Sequence, residues 1–364
     1  MKRLTEFDQL ADPTFSATVI EWQQQHGRHA LPWQNTTDAY RIWLSEIMLQ
    51  QTQVAAVLTY YARFLARFPT LGALAAAPSE DVMALWSGLG YYARARNLHA
   101  CAKRVAAEYG GVFPSDPALL AQLPGIGRST AAAISAFSSG TRAAILDGNV
   151  KRVFARVFGV DQYPGIKQVE DALWRRAEAL LPQAGIERYT QGLMDLGATL
   201  CTRSRPDCPR CPLRDRCVAF ATGRTAELPV RKPKKTHPEK RAAMLVVVDG
   251  GQVLLEQRAD SGIWGGLLSL PEVNGHAAFD DAMPDALAAA GRFGVVEEVQ
   301  ALLPLVHVFT HYKLHIHPHR VDLEKRAAAQ PGYVWWDLAN IEQAPLPAPV
   351  KKLLAQLAQP TLFA

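Results

Sequence analysis

The chain has little cysteine for its length: five residues in 364, four of which (Cys201, Cys208, Cys211 and Cys217) crowd into one short stretch. That usage excludes a disulfide scaffold and points to metal ligation in a reducing compartment. No run of about 18 apolar residues occurs, so a membrane-spanning helix is not expected. The opening MKRLTEFDQL lacks the apolar stretch of a secretory signal, and a soluble, cytoplasmic protein is the expectation. Charge of one sign is also scarce. Lys and Arg number 39 against 34 for Asp and Glu, a net charge of +5, which permits nucleic-acid binding without declaring it. With 25 Gly and 24 Pro and no repeat, a fibrous protein is excluded, and 49% hydrophobic against 20% charged residues excludes a disordered one. The length calls for two or three packed units.

Three stretches follow from the patterning. From about 15 to 220, apolar residues recur at helical spacing between Pro and Gly breaks. The segment Val150, Val153, Phe154, Val157, Phe158 forms one stripe, with Lys151, Arg152 and Arg156 off it. ELPVRKPKKTHPEKR (227–241) reads as an extended, solvated linker. Beyond it, two β-rich runs flank Asp249-Gly250-Gly251 as a hairpin, His307 to Val321 alternates, Tyr333 to Leu338 reads as a strand, and Asp281 to Ala290 reads as a helix. The fold class is therefore multidomain, an all-α core followed by an α+β domain.

Cys201-x6-Cys208-x2-Cys211-x5-Cys217 supplies four thiolates, suited to tetrahedral zinc or to an iron–sulfur cluster; the uneven spacing favours the cluster. Arg203 and Arg205, between the first two ligands, are placed to meet phosphate. Cys101, among Leu98, Ala102 and Val105, is a core thiol.

In Leu123 to Ser135 (LPGIGRSTAAAIS) a helix ends at Pro124-Gly125 and another begins after Gly127. Such a turn either merely joins two helices or offers backbone N–H groups and a helix dipole to a DNA phosphate. Asp38 caps a helix running Tyr40 to Val54, and Glu46 projects from its apolar face. Desolvation there raises a carboxyl's pKa and keeps a proton available; the plain alternative is a snorkelling edge residue. Asp147 precedes the helix that carries the stripe. As an N-cap it is expected to stay ionised with a lowered pKa, whether or not it does chemistry. One protonated and one ionised carboxyl are the equipment for cleaving a glycosidic bond.

Together, LSEIMLQQTQV, LPGIGRSTA, LDGNVKRV and the cysteine array resemble the MutY-type adenine DNA glycosylases of the endonuclease III superfamily. The resemblance runs from about residue 20 to the end. It implies a helix-hairpin-helix glycosylase core with one [4Fe-4S] cluster held by the four cysteines, and a C-terminal NUDIX-like domain. The implied boundaries are a cluster-bearing helical module (1–27 with 136–226), a six-helix barrel (28–135, hairpin about 119–135), a linker (227–241) and a recognition domain (242–358). The implied partner is double-stranded DNA holding adenine opposite 8-oxoguanine or guanine, met by a monomer.

By the same resemblance Glu46 protonates the adenine ring, and Asp147 stabilises the sugar cation with Asn149 beside it. Gln51, Thr52, Leu89 and Tyr91 wedge into the duplex around the oxidised guanine, Gly125, Gly127 and Ser129 belong to the phosphate-gripping hairpin, and Trp33 and Gln191 line the adenine pocket. Phe309-Thr310-His311 matches a loop that recognises 8-oxoguanine. Lyases of the superfamily carry a lysine where this chain has Ser129, and a hydroxyl cannot form their Schiff base, so hydrolysis without strand cutting is expected. Lys151 is the amine placed for adventitious trapping, and a bifunctional glycosylase/lyase is the alternative. GIWGGLLSLPE (262–272) resembles the opening of a NUDIX fold. Val273 to Val299 lacks its acidic magnesium helix, and Glu297 and Glu298 are too few to replace it, so this domain is expected to bind and not hydrolyse. His315, His317 and His319 read as a solvated strand edge in preference to a metal site.

Overall fold

A computed structural model describes residues 10–232, 238–259, 262–273, 282–309 and 311–358. Two compact units emerge, one from Met1–Ala76 with Ala100–Lys234, the other from Ala77–His99 with Lys235–Ala364. The helices are α1 (Pro13–His26), α2 (Ala39–Leu49), α3 (Val54–Arg67), α4 (Leu71–Ala76), α5 (Ser79–Trp86), α6 (Ala93–Glu108), α7 (Pro117–Leu120), α8 (Arg128–Ser139), α9 (Gly148–Val157), α10 (Lys167–Ala179), α11 (Ile186–Asp195) and α12 (Val218–Ala221).

In the first unit several helix starts are set by side-chain caps. Asp12 accepts from the backbone N–H of Thr14 and Phe15 ahead of α1, with Pro13 in the first turn, and Asp38 accepts from Tyr40 N at 2.9 Å ahead of α2. The expected single helix from Tyr40 to Val54 is broken. α2 stops at Leu49, Gln51 takes a left-handed φ of 59°, and α3 restarts at Val54. The core joins Phe15, Val19 and Trp22 of α1 to Val150, Val153, Phe154 and Val157 of α9 and to Tyr189 and Leu193 of α11. Each such side chain contributes roughly 1.5–3 kcal/mol through burial. Arg156 does not lie off this stripe in solvent as expected. It is 2% exposed, and its guanidinium donates to the carbonyls of Leu228 at 2.8 Å and Thr202 at 2.7 Å. Those distant acceptors make burial of the charge tolerable. They also alter the expected solvated linker, whose Leu228 is buried.

The second unit carries a mixed eight-stranded sheet: β1 (Glu239–Asp249), β2 (Gln252–Gln257), β3 (Leu268–Ser269), β4 (Glu272–Val273), β5 (Gly294–Ala301), β6 (Leu305–Val308), β7 (Lys313–Arg326) and β8 (Tyr333–Asp337). β1 and β2 form the expected hairpin, with Asp249 opposite Gln252 and positive φ at Gly250 and Gly251. α13 (Ala282–Ala290) packs Ala286 and Ala290 against Leu245, Val247 and Val321 of the sheet. Its one carboxylate is Asp285. α14 (Ala348–Ala358) follows. The histidine triplet is not on an edge: β7 lies between β1 and β5, His319 is buried, and His315 bonds Glu239 Oε2 at 3.1 Å. Within this unit Ser87 and Tyr92 donate their hydroxyls to the carbonyl of Leu346, at 3.2 and 3.3 Å, and Arg96 donates to that of Gly265 at 2.6 Å.

Candidate active site

A cleft of about 2140 Å³ opens in the first unit and gathers Trp33, Glu46, Gln51, Thr52, Gly127, Ser129, Asp147, Asn149, Gln191 and Arg203 from segments far apart in sequence. Trp33 is 8% exposed and packs edge-on against Tyr61 at 5.3 Å, giving the cleft one rigid aromatic wall.

Glu46 faces the cleft from α2 beside Ile42 and Leu49. Burial pushes its carboxyl from an ordinary value near 4.5 up to about 8, and the charge of Asp147 adds to the rise. The group therefore holds its proton at neutral pH.

Asp147 caps α9 as expected, accepting from Val150 N at 2.8 Å. Its acidity differs from expectation: burial lifts its pKa above the ordinary carboxylate value. Backbone hydrogen bonds from Val150 and Asn149, followed by the charges of Arg152 and Lys151, oppose that rise without cancelling it. Desolvation outweighs the cap because the carboxyl sits inside the cleft and not on an open helix end. The two carboxyls are close enough to sense each other, since the charge of Asp147 is one of the causes that raise Glu46.

Ser129 belongs to the hairpin helix α8 and accepts a 3.0 Å hydrogen bond on its hydroxyl from Leu146 N, thereby fixing the residue before Asp147. Gly125 has a φ of 76°, which favours glycine. Gly127 needs no such conformation, at φ −88°, and an added Cβ there would meet nothing within 4 Å. Its lack of a side chain leaves the first backbone N–H groups of α8 open to an anion. The expected trap Lys151 is tied to Glu170 at 2.6 Å and does not line the cleft.

Asn149 is held by Arg152, whose guanidinium donates to Asn149 Oδ1, Gly197 O and Cys201 O, each at 2.7 Å. Gly197 lies in a π-helical segment (Leu196–Leu200) against α9, where an added Cβ would come within 2.5 Å of Asn149 Cβ. Only glycine permits that approach.

All four array cysteines line a second, small cavity. Among the described residues, no three His, Cys, Asp or Glu side chains gather as a single-ion site would need. The donor set nonetheless suits a multi-iron group. Burial, followed by the mutual repulsion of their thiolates, pushes up the Cys208 thiol, and Cys211 is raised to about 11, burial again the largest cause. Arg156 donates to Cys201 Sγ at 3.3 Å. Soft, desolvated thiols gathered on one cavity fit such a group, whose metal charge would favour their thiolate forms. Arg203 and Arg205 stand exposed on the same loop.

Leu89 and Tyr91 lie in the second unit. Leu89 is buried, whereas Tyr91 is 49% exposed at a left-handed φ of 50°, and Arg94 donates to the carbonyl of Gly90 beneath it at 3.1 Å. Tyr91 and Gln51 thus share an uncommon backbone state often found at functional sites. Phe309 stacks on Tyr312 at 4.8 Å and meets His307 edge-on at 4.5 Å; His311 is exposed, and Thr310 lies outside the described residues.

The sequence reading missed Arg28, Asp195 and Arg152. Asp195 follows Gln191 by one helical turn, a spacing visible in the sequence, but its partner Arg28 is 167 residues away.

Comparison with known proteins agrees with this geometry. Residues 44–179 match the family described as HhH-GPD superfamily base excision DNA repair protein, and 242–356 match the NUDIX domain. The chain is 35% identical over 344 residues to an adenine DNA glycosylase of Buchnera aphidicola subsp. Schizaphis graminum, covering 93% of this chain and 97% of that one. It is 33% identical to an adenine DNA glycosylase of Mus musculus, covering 95% and 78%. The solved structure of a thermostable thymine-DNA glycosylase aligns with a TM-score of 0.53 at 30% identity, over 57% of this chain and 96% of that one. A hairpin-bearing helical unit with two carboxyls in its cleft, followed by a NUDIX-like sheet domain and matched across its length by such relatives, places this chain in the MutY-type adenine DNA glycosylase family, enzymes that act on DNA.

Proposed function

We propose that the cleft receives adenine extruded from a duplex in which it opposes 8-oxoguanine or guanine, and that Glu46 and Asp147 hydrolyse its N-glycosidic bond. The observation that carries this is the gathering in one cleft of a carboxyl raised to about 8, a second carboxyl that caps α9, and the Gly127 turn of the hairpin. Glu46 donates its proton to a ring nitrogen of the base, and the C1′–N9 bond breaks with its electron pair going to the base. Asp147 carboxylate, with Asn149 beside it, stabilises the positive sugar, and water adds at C1′, the proton it sheds restoring Glu46. A base must leave the stack before such groups reach it, which gives Trp33 and Gln191 their place as pocket walls and Gln51, Thr52, Leu89 and Tyr91 theirs as wedges. Gly125, Gly127, Ser129, Arg203 and Arg205 would hold the backbone.

Cys201, Cys208, Cys211 and Cys217 would hold one [4Fe-4S] cluster, whose iron core would offset part of the thiolate charge and cross-link the loop carrying the two arginines. Phe309, Thr310 and His311 would read the oxidised guanine from the recognition domain (242–358). The cluster-bearing module (1–27 with 136–226), the barrel (28–135) and the linker (227–241) complete the scheme, and the acting species is a monomer. Support for hydrolysis without strand cutting is that Ser129 offers no amine and that Lys151 is engaged by Glu170. Single-turnover incubation with an adenine:8-oxoguanine duplex tests the proposal: free adenine and an intact abasic strand support it, whereas strand breaks without added alkali would favour a lyase.

A further inference from the structure

One short turn of the second unit holds three residues with left-handed backbone, Gly262 at φ 83°, Trp264 at 56° and Gly266 at 75°. Glycine adopts that state freely, whereas a side chain as large as tryptophan keeps it only where its surroundings fix it. They do so here. Gly266 N donates to Ala259 O at 3.0 Å, Leu267 N donates to Trp264 O at 3.1 Å, and the Arg96 guanidinium of α6 donates to the carbonyl of the buried Gly265 at 2.6 Å. A charged donor makes the last of these the stronger kind of hydrogen bond.

Trp264 is buried, and its ring meets that of Phe309 at 5.6 Å and that of His307 at 6.1 Å. The other rings against Phe309, those of His307 and Tyr312, stand on the same β6–β7 hairpin and travel with it. Trp264 comes from outside the hairpin and braces it. At the other end of the chain of contacts, Arg96 lies in the first turn of α6, its backbone N–H donating to Tyr92 O at 3.2 Å. Tyr91 is the next residue back, its ring 5.4 Å from the Arg94 guanidinium that also holds Gly90 O. A continuous path therefore joins Tyr91 through α6, Arg96 and Trp264 to Phe309.

We propose that Arg96 and Trp264 are positioning residues that hold the Phe309 loop in register with the Tyr91 segment and thereby set the preference for 8-oxoguanine over guanine opposite adenine. The proposal rests on the reading of Phe309 to His311 as the loop that meets the oxidised guanine. The two bases differ only at one ring edge, where the oxidised one carries an N7 hydrogen and a C8 oxygen. A group that reads so small a difference must be placed within about 0.5 Å, which an exposed turn achieves only when braced from outside.

The test is the ratio of single-turnover adenine release opposite 8-oxoguanine to that opposite guanine. Arg96→Met removes the donor and keeps an apolar stem, and the ratio should fall about tenfold, as for one lost charged hydrogen bond. Arg96→Lys, which still donates, should keep most of the ratio. General destabilisation would lower both rates together and leave the ratio unchanged. In a Phe309→Ala background, Arg96→Met should lower the ratio no further, because Arg96 acts through that ring. Should Arg96→Met fail to fold by circular dichroism, Trp264→Leu is read in the same way.

A wild-type ratio in Arg96→Met beside a reduced one in Phe309→Ala would overturn the proposal and leave the reading of the loop standing. An equal fall in both backgrounds would overturn it too, since Arg96 would then act by another route. Full preference retained in Phe309→Ala would sink the reading of the loop itself, and the proposal with it.

Discussion

Replacing Glu46 with Gln removes a titratable proton from a desolvated position and should change two properties in opposite directions. Excision should fall by about 10² to 10⁴, the usual contribution of general acid catalysis, with duplex binding retained because the amide keeps the shape. Stability at alkaline pH should rise. Lifting the carboxyl from near 4.5 in the unfolded chain to about 8 in the folded one corresponds to about 5 kcal/mol at the limit, at about 1.4 kcal/mol per tenfold. The side chain is half-buried and faces the open cleft, so water relieves part of this and about 2 kcal/mol is the expected size. The sign follows from the raised value. Below about 4.5 the carboxyl is protonated in both states, and as pH rises toward 8 the unfolded chain gains a charge that the folded one resists. Wild-type stability is therefore lost across that window, and the glutamine variant is spared. Urea denaturation at pH 6 and pH 9 measures it, the advantage of Glu46→Gln being larger at pH 9. An advantage equal at the two pH values, or a variant with near wild-type single-turnover rate, would refute the assignment of Glu46 as a desolvated acid.

Cys211→Ser should lose visible iron–thiolate absorption together with DNA affinity; purified wild-type protein holding zinc and no iron would contradict the cluster. Ending the chain after Lys232, which keeps Leu228 as acceptor for the buried Arg156, should leave adenine release intact and reduce discrimination between 8-oxoguanine and guanine opposite it by roughly tenfold to a hundredfold. That truncation also strips the Leu346 and Gly265 acceptors of Ser87, Tyr92 and Arg96, the segment that carries Tyr91. Phe309→Ala and His311→Ala in the full chain should reproduce much of the loss, and a truncated protein with full preference would place recognition around Gln51 and Tyr91.

What the sequence discloses of this fold and what it hides divide along the range of the interactions. Asp38, Asp147 and the Asp249-Gly250-Gly251 turn act on their immediate neighbours, and each marks its element as read. The break after Leu49 escapes because neither Gln50, Thr52 and Gln53 nor Gln51 itself, at its left-handed φ of 59°, is the Pro or Gly that would signal a turn. Burial of Arg156 is equally hidden, since its acceptors at Thr202 and Leu228 are 46 and 72 residues away. The Asp147 carboxyl shows both sides: its capping role is local and legible, but the desolvation that reverses the expected direction comes from distant walls of the cleft. Glu46 was legible for the same reason that Asp195 was not. An apolar helix face foretells a desolvated carboxyl, whereas nothing beside Asp195 announces Arg28.

The most direct test of the central claim is the pH profile of single-turnover adenine release from an adenine:8-oxoguanine duplex. With Glu46 as the acid, the rate should decline as pH rises through about 8, and the intact product strand should break only after alkali is added. A rate that is flat from pH 7 to pH 9, or one that climbs, would contradict the account, because the proton that Glu46 is held to donate would then not be needed.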